Sequence, residues 1–290
     1  IANFWQVGSP CCTDFWYVMK RIPESIQKAL CEPYPLTADQ RAHYERDQCV
    51  LLPGFWPKEV LEFVEPVITH LVQDLTREMP DLTERDTYGQ AFRQAFNLWT
   101  HDPRVRAFIF SPRIGGVMKE LLGCASVRLY HDQALFKEPG GGITPWHADQ
   151  YYWPMDSARV ATMWMPLHEV PLEMGPLEFA RGSHVLTEGR NLEISADSEA
   201  RIGSRMRIGD FPMLRDAYAL GTVSVHSGWV FHRASPNASH TMRKVMTGIY
   251  MDAEMRASRP TNSHQQADLD QWCPGVAVGE VLDTPLNPIL

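Results

Sequence analysis

Pro145-Trp146-His147-Ala148-Asp149-Gln150-Tyr151-Tyr152-Trp153 is the stretch around which this chain is organised. In an extended backbone, side chains two apart share a face, so His147 and Asp149 point together while Ala148 points away. One imidazole nitrogen and one carboxylate oxygen then converge on a point. A second imidazole from a distant strand would complete the two-histidine, one-carboxylate face that holds non-haem Fe(II) and leaves three positions open. Trp229-Val230-Phe231-His232 offers that partner in His232, and His226, six residues earlier, competes with it. A bare His-x-Asp is a short pattern with a high false-positive rate, although only His147 of the 11 histidines has an aspartate two positions on. The bland alternative is a core histidine beside a surface aspartate.

Outward from this motif the chain reads as short strands. Ser126 to His131 and Ala134 to Lys137 precede it, separated from it by Gly140-Gly141-Gly142. Arg159 to Leu167, Leu177 to Ala180, Thr222 to His226, Val230 to His232 and Val245 to Asp252 follow it. In the first of these, Val160, Thr162 and Trp164 share one face and Ala161, Met163 and Met165 the other; neither is polar, which predicts cover on both sides. About eight short strands suit a double-sheet jelly roll.

Upstream the pattern is helical. Thr37 and Gln40 have capping-box spacing and start a helix through about Arg46. Cys49-Val50-Leu51-Leu52 reads as a buried strand closed by Pro53-Gly54. Pro57 opens a helix carrying Val60, Val64, Val67, Ile68, Leu71 and Leu75, with a kink expected at Pro66, and Ser111-Pro112 opens another that ends at Gly123. Helices first and strands afterwards predict a mainly β fold with flanking α-helices, its core a double-stranded β-helix of the jelly-roll, cupin-like kind. The expected division is an N-terminal arm over 1–36 and a single domain over 37–290, with its jelly-roll core at about 125–255 and a lid insertion at about 191–220.

Charge narrows the function. The 290 residues carry 27 Lys and Arg against 35 Asp and Glu, a net charge of −8, with no basic run to offset it, so nucleic acid is excluded as a partner. No window approaches the roughly 18 apolar residues of a membrane span and the first residues have no signal pattern, which predicts a soluble cytoplasmic protein with no membrane partner. Cys11, Cys12, Cys31, Cys49, Cys124 and Cys273 include no CxxC and read as reduced thiols, with the adjacent pair a weak redox or metal candidate. Trp5, Phe15, Trp16 and Tyr17 argue that the arm lies on its own domain or on a second subunit, forming a homodimer.

Several motifs together resemble the phytanoyl-CoA dioxygenase family of Fe(II)/2-oxoglutarate oxygenases. They are Leu36-Thr37-Ala38-Asp39-Gln40 leading to Val50-Leu51-Leu52-Pro53-Gly54-Phe55, then Phe136-Lys137-Glu138-Pro139-Gly140, the His147 motif, Gly175-Pro176-Leu177, Arg181-Gly182-Ser183-His184, and His232 with Arg243. The resemblance runs from about Leu36 to Asp252. It implies that His147, Asp149 and His232 bind Fe(II) and carry the chemistry, with 2-oxoglutarate and O2 as cosubstrates and succinate and CO2 as products. It also implies that Arg243 grips the distal carboxylate of 2-oxoglutarate, which a planar guanidinium can hold through two parallel hydrogen bonds. Trp164, Gln133 and Lys137 match positions where relatives contact the cosubstrate. Relatives often carry a serine two positions beyond the distal histidine, but here that position is Ala234, so Ser235 or Thr162 is expected to help Arg243 instead. Halogenating relatives have a small residue in place of Asp149, so hydroxylation is implied over chlorination; desaturation, cyclisation and epoxidation stay open.

For the small-molecule substrate, Tyr151, Tyr152 and Trp153 are expected to continue the metal strand into the pocket wall, with Trp146, Met163 and Met165 as further candidates. Such a wall is flat and apolar, and predicts a cyclic or lipid-like free metabolite over a CoA thioester, for which Arg201, Arg205 and Arg207 would supply the basic cluster. Two other classes stay open. A zinc hydrolase or isomerase would use the same three ligands and make Arg243 a structural salt-bridge residue, and a jelly-roll binding protein would keep the architecture without the metal.

Overall fold

The computed structural model describes residues 22–85 and 89–290. Its first helix, α1 (Glu24–Cys31), turns Ile26 and Leu30 into the main core beside Ile22 and Leu36. Residues 22–36 are therefore part of the domain, which corrects the arm boundary at 36. Residues 1–21, with Cys11, Cys12, the four aromatics and the dimer expectation built on them, lie outside the described residues. Helix α2 (Ala38–Asp47) starts at the capping box: Thr37 Oγ1 accepts from Gln40 N and the Gln40 side chain accepts from Thr37 N. Strand β1 (Cys49–Leu52) follows, and then α3 (Lys58–Leu75), which runs through Pro66 as one helix. Helices α4 (Pro103–Ile109) and α5 (Pro112–Leu122) each carry proline in the first turn, capped by Asp102 and Ser111, and Gly123 closes α5 in the left-handed conformation.

The remaining strands are β2 (Arg93–Phe96), β3 (Val127–Phe136), β4 (Thr144–His147), β5 (Val160–Pro166), β6 (Leu177–Ala180), β7 (Met213–Leu214), β8 (Val223–Ser227), β9 (His232–Ala234) and β10 (Val245–Asp252). They form two antiparallel sheets, a major one in the order β1-β8-β5-β10-β3-β2 and a minor one in the order β4-β9-β6-β7. This is the predicted jelly roll, with two adjustments. The two segments expected before the motif join as the single strand β3, and β1 and β2, drawn from ahead of residue 125, extend the major sheet at both edges.

Period-two alternation along β5 assigns the faces. Ala161, Met163 and Met165 join Val60, Val64 and Ile68 of α3 and Phe108 of α4 in the helix-side core, all of them essentially buried. The two methionines are thus core and not pocket wall. Burial of each such side chain stabilises by about 1.5–3 kcal/mol. The exposed Lys58–Glu62 pair on α3, at 3.3 Å, belongs to a kind worth about 0.3–0.5 kcal/mol, so packing holds the helical layer in place.

Two later helices pack on different sheets. Helix α6 (Ala196–Ile208), from the expected lid insertion, seats Ile202 and Met206 on Trp146, Ala148, Ala180 and Phe231 at the back of the minor sheet. Helix α7 (Ser263–Trp272) packs Leu269 and Trp272 with Tyr130, Val160, Ile249 and Met251 of the major sheet. Among the described residues no helix is long and apolar enough to cross a membrane.

Candidate active site

Strands β4 and β9 pair so that His147 and His232 sit directly opposite one another, with ring centroids 4.1 Å apart. Ala148 is still extended (φ −123°, ψ 127°), so Asp149 returns to the same side before residues 149–151 turn into a short 3₁₀ helix. The Nε2 atoms of His147 and His232 lie 3.4 and 3.6 Å from Asp149 Oδ1. Ligand atoms of all three residues fall within 4.8 Å of one another, and among the described residues no other group of three is so placed.

Tautomers follow from the partners of the far ring atoms. His147 Nδ1 is 2.7 Å from the Pro145 carbonyl and His232 Nδ1 is 3.1 Å from the Val230 carbonyl, so each imidazole donates to the chain two residues back and turns its Nε2 lone pair toward Asp149. Burial first, then His147 and His226, keeps His232 neutral. Burial alone would raise Asp149, but the surrounding imidazoles, with His226 at Oδ2, hold its carboxyl well below the usual range. Deprotonated donors of this kind are what a divalent metal requires.

The second oxygen, Asp149 Oδ2, accepts from Thr162 Oγ1 at 3.0 Å and lies 3.2 Å from His226 Nε2. His226 therefore points its nitrogen at the carboxylate, which separates it from the metal face and settles its competition with His232. Outer partners of this kind typically contribute 10–100-fold to metal affinity. Thr162→Val should weaken ferrous binding by about tenfold with the melting curve little changed, as metal titration beside circular dichroism would register.

Arg243, fully buried, lies on the same cavity. Its Nη1 donates to the Gly175 carbonyl, its guanidinium stacks 5.3 Å over the Trp164 ring, and burial pushes it down to about 9. Nε and Nη2 find no hydrogen-bond partner among the described residues, nor does Trp164 Nε1. Buried N–H groups are rarely left so, and three of them converging on one cavity fit a carboxylate.

The helpers expected for Arg243 are elsewhere. Thr162 serves Asp149, and Ser235 donates to Glu178 while its carbonyl accepts from Lys137 Nζ at 3.0 Å. The Gly175 carbonyl takes their place. Gly175 needs φ +66°, and a Cβ there would meet the Ser235 carbonyl at 2.1 Å. Gly175→Ala should displace that carbonyl and lower stability by at least about 1–3 kcal/mol, visible as a fall in melting temperature.

The cavity measures about 560 Å³ and holds His147, Asp149, His232, Arg243, Trp164, Thr162, Gln133, Tyr152 and Trp153 in its walls. Gln133 accepts from Gln94 Nε2 at 2.6 Å. Lys137 is absent from the lining. Its ammonium reaches the Gly142 carbonyl (2.8 Å), the Ser235 carbonyl and Thr144 Oγ1 (3.4 Å), which occupies its three donors and makes it a strut beneath the arginine. Trp146 and Tyr151 also lie off the cavity: Trp146 packs under α6, and the 3₁₀ turn carries Tyr151 away while its carbonyl accepts from Gln265 of α7. Of Arg201, Arg205 and Arg207, none lines the cavity.

Sequence reasoning missed one wall. Asp268 and Trp272 on α7, with His264 one turn earlier, and Glu193 and Ile194 from the insertion all face the cavity. The stripe His264, Asp268, Trp272 at four-residue spacing was the available signal. With Gln94, Gln133, Gln271 and Thr247, this wall makes the lining part aromatic and part polar, which corrects the expectation of a uniformly apolar pocket.

A jelly roll presenting two imidazoles and a carboxylate beside an unpaired buried guanidinium has the fold and donor set of the non-haem Fe(II)/2-oxoglutarate class. The family model for phytanoyl-CoA dioxygenase (PhyH) matches residues 49–245, and the chain belongs to that family. It is 28% identical over 157 residues to the ectoine dioxygenase of Bordetella parapertussis, covering 51% of this chain and 50% of that protein. It is 25% identical over 154 residues to a probable alpha-ketoglutarate-dependent hypophosphite dioxygenase of Stutzerimonas stutzeri, covering 52% and 54%. The chain spans about half the length of the curated relatives it matches. Among solved structures, the non-haem alpha-ketoglutarate-dependent carbocyclase SnoK from nogalamycin biosynthesis superposes with a TM-score of 0.72 at 22% identity, over 89% of this chain and 99% of that one, a likeness of fold.

Proposed function

We propose that this chain is an Fe(II)/2-oxoglutarate-dependent oxygenase that hydroxylates a C–H bond of a small molecule. The observation that carries the reading is the sharing of one cavity by the His147, Asp149 and His232 donor set and the partnerless N–H groups of Arg243. Bound there, ferrous ion and 2-oxoglutarate would supply the oxidation of a substrate C–H bond by O2, with succinate and CO2 as co-products. His147, Asp149 and His232 would hold the metal, with cosubstrate and O2 completing its coordination. Arg243 orients the distal carboxylate through a two-point contact, with Trp164 Nε1 as a further donor. Thr162 and His226 pin Asp149 so that Oδ1 faces the metal. Trp153 and Tyr152 shield the site from water.

Two observations favour this reading over its rivals. The zinc hydrolase reading makes Arg243 a structural salt-bridge residue, yet its guanidinium has no acidic partner among the described residues. The carboxylate of Asp149 fills the position that halogenation would need open. Desaturation, cyclisation and epoxidation use the same ligands and differ in where the substrate is held. The test is Fe(II)-dependent release of succinate from 2-oxoglutarate by the purified chain. Calorimetry showing no 2-oxoglutarate binding to the ferrous protein would end the proposal.

A further inference from the structure

We infer that the substrate of this oxygenase is an organic cation, a ring-bearing molecule with a protonated amine that sits against Asp268 between Trp272, Phe96 and Trp153. The inference rests on the functional reading above and adds to it the chemical class of the substrate.

Charge divides the cavity into two halves. Around the metal face, Asp149 is committed to the metal and Arg243 is the only Lys or Arg among the described lining residues. The outer half carries two carboxylates, Glu193 and Asp268, and no guanidinium or ammonium. Glu193 has a partner, His264 Nε2 at 2.8 Å, and both are exposed at the rim. Asp268 sits deeper, where α7 meets β3. Its donors are neutral, Tyr130 Oη at 3.1 Å to Oδ2 and the Trp272 indole. A carboxylate offers about four acceptor positions, so a donor from beneath leaves others for a ligand in the cavity. Burial, working against Tyr130, Trp272 and His264, lifts its carboxyl to about 7, as for an acid with no fixed countercharge. His131, the remaining imidazole on that wall, is lowered by burial to about 4 and supplies no charge.

Aromatic rings share the cavity wall with the acid. Trp272 packs 5.0 Å from Phe96 and 4.6 Å from His131, centroid to centroid, and Trp153 stands 6.1 Å from Tyr130. Their electron-rich faces attract a desolvated cation, in addition to its pairing with the acid. Acid and rings together discriminate: an anion is repelled, a neutral ring gains only stacking, and a protonated amine gains both terms. The same electrostatics disfavour a CoA thioester, whose phosphates would meet two carboxylates and no base.

The test is calorimetric titration of the full chain with benzylamine, benzyl alcohol and benzoate, anaerobically with Fe(II) and 2-oxoglutarate and again without either. Asp268 and the rings are not metal ligands, so the second titration stays readable if metal loading fails, which keeps this inference separable from the oxygenase reading. Benzylamine should bind about tenfold or more tighter than benzyl alcohol, the order a desolvated cation contact supports, and benzoate should not bind where 2-oxoglutarate already occupies Arg243. Asp268→Asn, isosteric and still able to accept from Tyr130, should cut the amine preference by about tenfold and leave only what the rings supply, whereas Glu193→Gln should keep it in full. Equal affinities in the parent chain, or an amine preference undiminished in Asp268→Asn, would overturn the inference. Loss of the preference in Glu193→Gln alone would overturn the assignment to Asp268.

Discussion

Asp149→Ala is expected to abolish 2-oxoglutarate-dependent turnover and to reduce ferrous affinity by more than the roughly 10–100-fold that loss of an outer partner costs. The metal face consists of two imidazoles and this carboxylate, so its removal leaves neutral donors only and nothing to offset the charge of a divalent ion in a buried site. The fold should survive. His226 Nε2 and Thr162 Oγ1 lose their acceptor, at about 1–3 kcal/mol if both stay dry, while the paired strands β4 and β9 and the core keep their contacts. Ferrous titration, succinate release and a thermal melt measured on one preparation separate these effects. Full turnover with stoichiometric iron in the variant would remove Asp149 from the metal site.

Arg243→Ala is expected to weaken 2-oxoglutarate binding by about 2–5 kcal/mol, roughly 30-fold to several thousand-fold, because it removes one partner of a fully desolvated charge pair. Its effect on the protein without cosubstrate should run the other way. The guanidinium is buried with two atoms unpartnered and burial drives it down to about 9, so its loss relieves desolvation and the melting temperature should hold or rise. Arg243→Lys should recover little, since an ammonium is a point charge without the planar fork. Unchanged cosubstrate affinity in Arg243→Ala would place the carboxylate clamp elsewhere.

Local chemistry made much of this protein legible. Thr37 and Gln40 announced a helix because a capping box satisfies its own donors, and Ser111-Pro112 with Gly123 bracketed another for similar reasons. The double apolar face of β5 announced a strand covered on both sides. His147 and Asp149 could be paired because two residues of extended chain return to one face. The continuation through Tyr151 was misjudged for a related reason: the strand ends at His147, and after one more extended residue the chain coils into a 3₁₀ turn that breaks the alternation. Thr162 was noticed but attached to the wrong partner, since a residue in one strand says which face it shares and not which neighbour it meets across the cavity.

What the amino-acid order determined alone is the capped helices α2 and α5, most of the jelly-roll strands and the pair His147 and Asp149, because capping, alternation and burial act over a few residues. What only the tertiary structure decided is the choice of His232 over His226, the replacement of Ser235 by the Gly175 carbonyl beneath Arg243, and the wall built by Asp268 and Trp272. Each depends on which strands pair and where a distant helix comes to rest. Those contacts join residues tens to more than a hundred positions apart, and their energies arise only once the sheets have closed around a common cavity.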